Sequence, residues 1–249
     1  MAEYDQLLVT AQEAARLGLQ ALRGLATKEG KHYAHAADLP REIKATADRG
    51  VEQVILQHLV PTRLPILSEE AGLIDGQGGG DLRWVIDPLD GTVNFVRGLA
   101  PCAVSIALWR GDAPVLGVLV EYPSGAMAWG GRSLGAYMDG SPIHVSTIQE
   151  KSRAILCTGF PSRFDFGGGA ERDFWEGARP YGKVRMLGAA SLSLLHVARG
   201  AADAYEEHDI MIWDVAAGLA LVEGAGGRIN VSPGKCLHAH HIFASNGLI

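Results

Sequence analysis

The chain has 249 residues, 47% of them hydrophobic, enough to bury a large core in one layered domain or in two smaller ones. With 20% charged residues and a net charge of -6, it is neither intrinsically disordered in composition nor equipped with the basic stripe that tracks a nucleic-acid backbone. The three cysteines, Cys102, Cys157 and Cys236, are odd in number and far apart, which yields no disulfide framework and no C-x-x-C zinc site and fits a reducing cytoplasm.

From Tyr4 to Leu25 the residues Tyr4, Leu7, Leu8, Ala11, Ala14, Ala15, Gly18, Leu22 and Leu25 recur on one side, which predicts an amphipathic helix packed on a sheet. With Glu3 and Asp5 near its start, this segment is unlike a secretory signal. A second helix is expected from about Asp48 to Leu59, stopped by Pro61. The runs RWVID, AVSIALW, PVLGVLVEY and MAWGG, between Arg83 and Gly131, predict a meander of antiparallel strands. After about Glu150 the pattern changes. The strand AILCTGF, a helix before Arg179, the strand KVRML, the helix ASLSLLHVARG, the strand ADAYEE and the helix DVAAGLALVEGA alternate as in an α/β unit. We therefore expect an N-terminal α+β part over 1–146 and a C-terminal α/β part over 147–249. No run approaches the roughly 20 apolar residues of a membrane span. No phosphate loop or dinucleotide fingerprint is present either.

The chemistry concentrates in three acidic segments. In Trp84-Val85-Ile86-Asp87-Pro88-Leu89-Asp90-Gly91-Thr92 a strand delivers Asp87 to a turn that also carries Asp90. Glu69-Glu70 follows the apolar run Pro65 to Leu67, and Asp214 follows Trp213 at the start of an apolar helix, where aspartate commonly caps. Each acid alone has an ordinary structural explanation. Together they repeat one design, a carboxylate at a strand end or helix start where side chains can face one cleft.

The segments ILSEEAG, WVIDPLDGTVNF and WDVAAGLALVEGAGG, with GAADAYEE between the last two, resemble the motifs of the inositol monophosphatase family over nearly the whole chain. The resemblance implies an α+β layered αβαβα sandwich like that of the sugar phosphatases and of fructose-1,6-bisphosphatase. It implies magnesium, with Glu69, Asp87 and the Leu89 carbonyl around a first ion, and Asp87, Asp90 and Asp214 around a second. The implied reaction is hydrolysis of the phosphate monoester of a small polyol or sugar, inositol monophosphate by default, through direct attack of a metal-bound water with no phosphoenzyme. Glu69 and Thr92 would orient and deprotonate that water, and Asp90 would be needed for turnover. The Gly91 and Thr92 amides would hold phosphate oxygens. Glu207 would bind a hydroxyl of the substrate beside a wall at Gly188 and Ala190, with Arg185 at a basic family position. A homodimer is implied in the same way.

The segment before the second helix departs from the family pattern, keeping Asp48 but changing the polar positions before it. This leaves open whether Glu42 helps to hold a third ion and whether lithium inhibits. Histidinol phosphate, another sugar phosphate or 3'-phosphoadenosine 5'-phosphate stay open as substrates, the last needing a basic subsite that Lys183 and Arg185 could begin. A non-catalytic metal-binding partner protein is the reading from another class. His238, His240 and His241 are read as a surface loop, and Ser191, Ser193 and His196 lack the G-x-S-x-G elbow of a nucleophile.

Overall fold

A computed structural model describes residues 2–26, 33–35, 43–78, 80–167 and 169–249. The first helix, α1 (Ala2–Leu25), turns Ala11, Ala14, Ala15 and Leu22 fully inward. Two short strands, β1 (Tyr33–His35) and β2 (Ile43–Ala45), pair antiparallel and lead into α2 (Thr46–Leu59), which begins two residues earlier than its apolar spacing suggests. The reason is local: the buried Asp48 carboxylate accepts the Ala45 amide at 2.7 Å, fastening the first turn.

Eight strands then form one sheet: β3 (Ile66–Ser68), β4 (Gly72–Ile74), β5 (Leu82–Asp90), β6 (Cys102–Arg110), β7 (Ala113–Tyr122), β8 (Met127–Gly131), β9 (Gly135–Met138) and β10 (Ser141–Pro142), with α3 (Thr92–Arg97) between β5 and β6. The order is β10-β9-β8-β7-β6-β5-β3-β4, a meander from β5 to β10 as expected, with β3 beside β5 in parallel. The second half supplies β11 (Ile155–Thr158), α4 (Ala170–Ala178), β12 (Lys183–Arg185), α5 (Ala190–Ala198), β13 (Ala204–Met211), α6 (Ile212–Gly224), β14 (Arg228–Pro233) and β15 (Ala239–Ser245). Its sheet runs β12-β11-β13-β15-β14, parallel from β12 to β13 and antiparallel beyond.

Strand alternation sorts the core into layers. Trp84, Ile86, Val104, Ile106, Leu116 and Val118 face α1 and α2. Val85, Ala103, Ala107 and Leu119 point the other way, into a buried layer shared with α5 and α6, which also covers Tyr205, Ile242 and Ala244 of the second sheet. On the far side of that sheet Ala154, Leu156 and Ala204 meet Ala178 of α4 and Tyr181. The sequence of layers is helix, sheet, helix, sheet, helix, which is the αβαβα sandwich anticipated from the motifs.

Two readings change. His240 and His241 belong to β15, paired with both β13 and β14, so they are strand residues rather than a loop. The Asp214 carboxylate stands in the first turn of α6, whose cap position is Met211, so it is not the capping residue. No helix among the described residues is long and apolar enough to cross a membrane.

Candidate metal centre and active site

Asp87 and Asp90 lie three apart on β5, a spacing that would put them on opposite faces of a regular strand. The pairing with β6 shifts between Asp87, opposite Ser105, and Asp90, opposite Ala103. That irregularity inserts one extra residue on β5, around Pro88 and Leu89, and so turns Asp90 back toward the face that Val85 and Asp87 share. The Leu89 amide donates to Asp87 Oδ1 at 2.9 Å, and the Thr92 hydroxyl donates to the Leu89 carbonyl at 3.0 Å, which closes the turn. Gly91, between them, has φ of +86° and faces the Pro101 carbonyl, where a side chain would be both strained and crowded.

Glu69 follows β3, the parallel neighbour of β5, and its amide donates to the Ile86 carbonyl at 3.3 Å. The buried Glu52 of α2 anchors this strand end, accepting the Ser68 hydroxyl and, at 2.9 Å, the Ala71 amide. From the other half, α6 brings Asp214. Glu69, Asp87 and Asp214 then offer ligand oxygens that all lie within 4.8 Å of one another. Asp90 stands beside them and is held by the C-terminal half: its carboxylate accepts the Ser191 hydroxyl, the Ser191 amide at 2.8 Å and the Ala190 amide at 3.3 Å, all from the start of α5.

These acids line a cavity of about 670 Å³ between the two halves, together with Leu89, Gly91, Thr92, Gly188, Ala190 and Glu207. Of the residues singled out from the sequence as substrate contacts, the two basic ones fail to arrive: Lys183 and Arg185 are exposed and do not line the cavity, and Arg185 donates to the neighbouring Val184 carbonyl at 2.9 Å. Its strand β12 forms the outer edge of the second sheet. Glu42 lies outside the described residues, as do 36–41 before it.

Sequence reasoning missed three polar supports. Ser191 is the hydroxyl donor to Asp90, although as one serine on an apolar helix it carries no signal of that. Asn94, also in the cavity wall, ties the halves together by donating to the carbonyls of Pro101 at 2.7 Å and Leu187 at 2.8 Å. The buried Tyr205 hydroxyl donates to Glu207 Oε2 at 2.9 Å and so fixes the carboxylate that reaches the cavity.

The electrostatics are those of a site built for cations. Burial pushes the Asp87 carboxyl well above the usual range, and the charges of Glu69, Asp214 and Asp90 push it further. Asp214 is raised well above 3.8 by burial and then by Glu69, Asp90 and Glu207. Burial also lifts Asp90 to about 6, against the lowering effect of its Ser191 hydrogen bonds, and Glu207 to about 7, against the Tyr205 bond. Hard oxygen donors crowded until they repel are what divalent cations such as magnesium bind, so the residues present fit the group that the motifs imply.

A pH dependence follows. Asp90 and Glu207 bind protons more tightly folded than unfolded, so their stabilising contribution is full below about pH 4 and is lost as pH rises through about 6 to 7. We expect the melting temperature in chelator to fall between pH 5 and 8, and saturating magnesium to recover most of that loss at pH 8. Parallel melting curves with and without magnesium would show it, and coincident curves would contradict it. A milder effect is expected of Ser191→Ala: with one donor to Asp90 gone, magnesium affinity should weaken about tenfold, measured by calorimetric titration, with the fold intact.

Comparison with known proteins places this geometry in a family. The profile of the Inositol monophosphatase family matches residues 3–248. Phosphatase IMPL1, chloroplastic, of Arabidopsis thaliana is 33% identical over 254 residues, covering 98% of this chain and 67% of that protein. Nus factor SuhB of Pseudomonas aeruginosa is 38% identical over 208 residues, covering 80% of this chain and 76% of that protein. The solved structure of inositol monophosphatase from Anabaena (Nostoc) sp. PCC 7120 superposes with a TM-score of 0.82 at 32% identity, covering 98% of this chain and 91% of that one. With its fold, its acidic cluster and its sequence agreeing, the chain belongs to the inositol monophosphatase family of phosphoric monoester hydrolases.

Proposed function

We propose that the protein hydrolyses the phosphate monoester of a small polyol or sugar, inositol monophosphate first among them, in a magnesium-dependent reaction. The observation that carries this reading is the convergence of Glu69, Asp87 and Asp214, from both halves of the chain, on one cavity beside Asp90. Glu69, Asp87 and the Leu89 carbonyl would hold one ion, and Asp87, Asp90 and Asp214 a second. When bound, such ions neutralise the carboxylates and the substrate's phosphate and make water more acidic.

The chain's own groups supply the rest. Thr92, whose hydroxyl hydrogen is committed to the Leu89 carbonyl, keeps its oxygen as an acceptor that holds one proton of the attacking water, and Glu69 takes the other. A bond forms from the water oxygen to phosphorus as the bond to the alcohol oxygen breaks in line, and solvent water protonates the departing alkoxide. The Gly91 and Thr92 amides at the start of α3 receive phosphate oxygens. Glu207, fixed by Tyr205, accepts a hydroxyl of the substrate against the backbone of Gly188 and Ala190. The Ala190 amide itself is committed to Asp90, so that wall acts by shape.

A panel of inositol 1-phosphate, a hexose phosphate, histidinol phosphate and 3'-phosphoadenosine 5'-phosphate, assayed for phosphate release with magnesium and with chelator, tests the reading. Fastest release from inositol 1-phosphate, abolished by chelator, is expected. Tight magnesium binding without turnover of any ester would favour a non-catalytic partner protein instead. A homodimer in a reducing cytoplasm completes the proposal, with sedimentation as the check on the dimer.

A further inference from the structure

A second cavity, of about 230 Å³, adjoins the first between α4 and the far face of the second sheet. The two share Thr158, Gly159, Pro161, Arg163, Glu207 and Asp209 in their walls. Phe164 and Phe174 line the second cavity, and Phe160 lines the first, with ring centroids 4.6 Å and 4.5 Å from those two. An unbroken aromatic wall therefore runs from the catalytic cavity into its neighbour. Five carboxylates line the second cavity, against Arg163, Lys235 and the imidazoles of His208 and His241. Lys235 is already committed to Asp209, at 3.4 Å through its ammonium and 2.7 Å through its amide. Glu206 has His208 Nε2 at 3.8 Å and Glu207 holds the Tyr205 hydroxyl, which leaves Asp165 and Asp173 beside the aromatic surface, with Arg163 in the same wall.

We infer that this cavity is a second subsite of the active site, which takes a flat, positively charged nitrogen group carried on a short linker by the alcohol of the phosphate ester. A space of about 150 Å³ suffices for a six-membered ring, so size permits it. Aromatic faces and carboxylates together favour a cation over a neutral ring of the same shape. Glu207, which stands in both walls, would meet the linker. The inference rests on the proposed phosphatase reading and extends its substrate class to esters of cationic alcohols.

The test uses three esters: inositol 1-phosphate, 2-phenylethyl phosphate and 2-(1-methylpyridinium-4-yl)ethyl phosphate. The pyridinium ester should exceed the phenyl ester in kcat/KM by at least about tenfold. Gly177 lies in the wall on α4, where an added Cβ meets nothing within 4 Å, so Gly177→Phe can plug the cavity without a backbone clash. This variant should lower the ratio of pyridinium-ester to inositol 1-phosphate kcat/KM at least about tenfold, and Asp173→Lys should erase the preference over the phenyl ester. Equal loss on all three esters, no loss, or a phenyl ester as good as the pyridinium ester would overturn the subsite. Binding of the free alcohol, 2-(1-methylpyridinium-4-yl)ethanol, followed by NMR, separates the two readings. Binding that Gly177→Phe removes, with no ester hydrolysed, would sink the phosphatase reading and keep the subsite; no binding at millimolar concentration would sink the subsite.

Discussion

Asp87→Asn is expected to lower kcat/KM by at least about a thousandfold while raising the melting temperature of the metal-free protein. The two effects share one cause. Asp87 is 1% exposed and sits within reach of Glu69 and Asp214, so its charge is costly without a cation and indispensable with one. A neutral amide relieves the repulsion but is a poor ligand, and its position in the middle of the cluster would withdraw a donor from both proposed ions. Asp90→Asn should fold equally well and lose activity too, with a smaller gain in metal-free stability, because the Asp90 carboxylate already has three donors from Ala190 and Ser191. Steady-state kinetics with melting curves in chelator and in magnesium would measure both. Near-normal turnover of Asp87→Asn, or a lowered melting temperature in chelator, would contradict the account. So would a magnesium-induced rise in melting temperature equal to that of the unaltered protein.

The residues of this centre were legible in the sequence where local chemistry announces itself. Asp87 and Asp90 bracket a Pro-containing turn after three β-formers, Glu69 closes an apolar run and Asp214 stands at the start of an apolar helix, so motif and periodicity agreed. The bulge on β5 that makes Asp87 and Asp90 share a face was not legible, because it exists only in the pairing with β6. Ser191 and Asn94 were illegible for a related reason: each acts across about a hundred residues of chain, on Asp90 and on the Leu187 carbonyl, and nothing adjacent marks them. The meander and the alternating second half followed from periodicity, and the layered sandwich from the resemblance of the motifs. The strands β14 and β15 did not, because RINVSP fully buries none of its positions and the histidine-rich AHHIFAS only some, and both are polar enough to read as loop. Arg185 shows the opposite failure, a residue whose position in a motif suggested a role that its edge strand withholds.

Gly117→Ala is expected to destabilise the protein by about 3 kcal/mol, a fall of about 6–12 °C in melting temperature for a chain of this size. Gly117 lies in β7 directly beneath α6, where an added Cβ would come 2.3 Å from the Ala217 carbonyl oxygen and 2.7 Å from its Cα. Both are backbone atoms in a fully buried layer, so no side chain can swing aside and the helix must lift. Ala217 follows Asp214 by nearly one turn of α6 and shares its face of the helix. Lifting α6 therefore also draws Asp214 away from Glu69 and Asp87, and magnesium affinity should weaken about tenfold beyond what stability explains. Gly24→Ala is the control: it lies near the end of α1 with nothing within 4 Å of an added Cβ, and should be neutral or stabilising by up to about 1 kcal/mol. Denaturant unfolding and magnesium titration of both variants would decide the matter. A Gly117→Ala variant as stable as Gly24→Ala would mean that close contact between β7 and α6 does not hold the centre together.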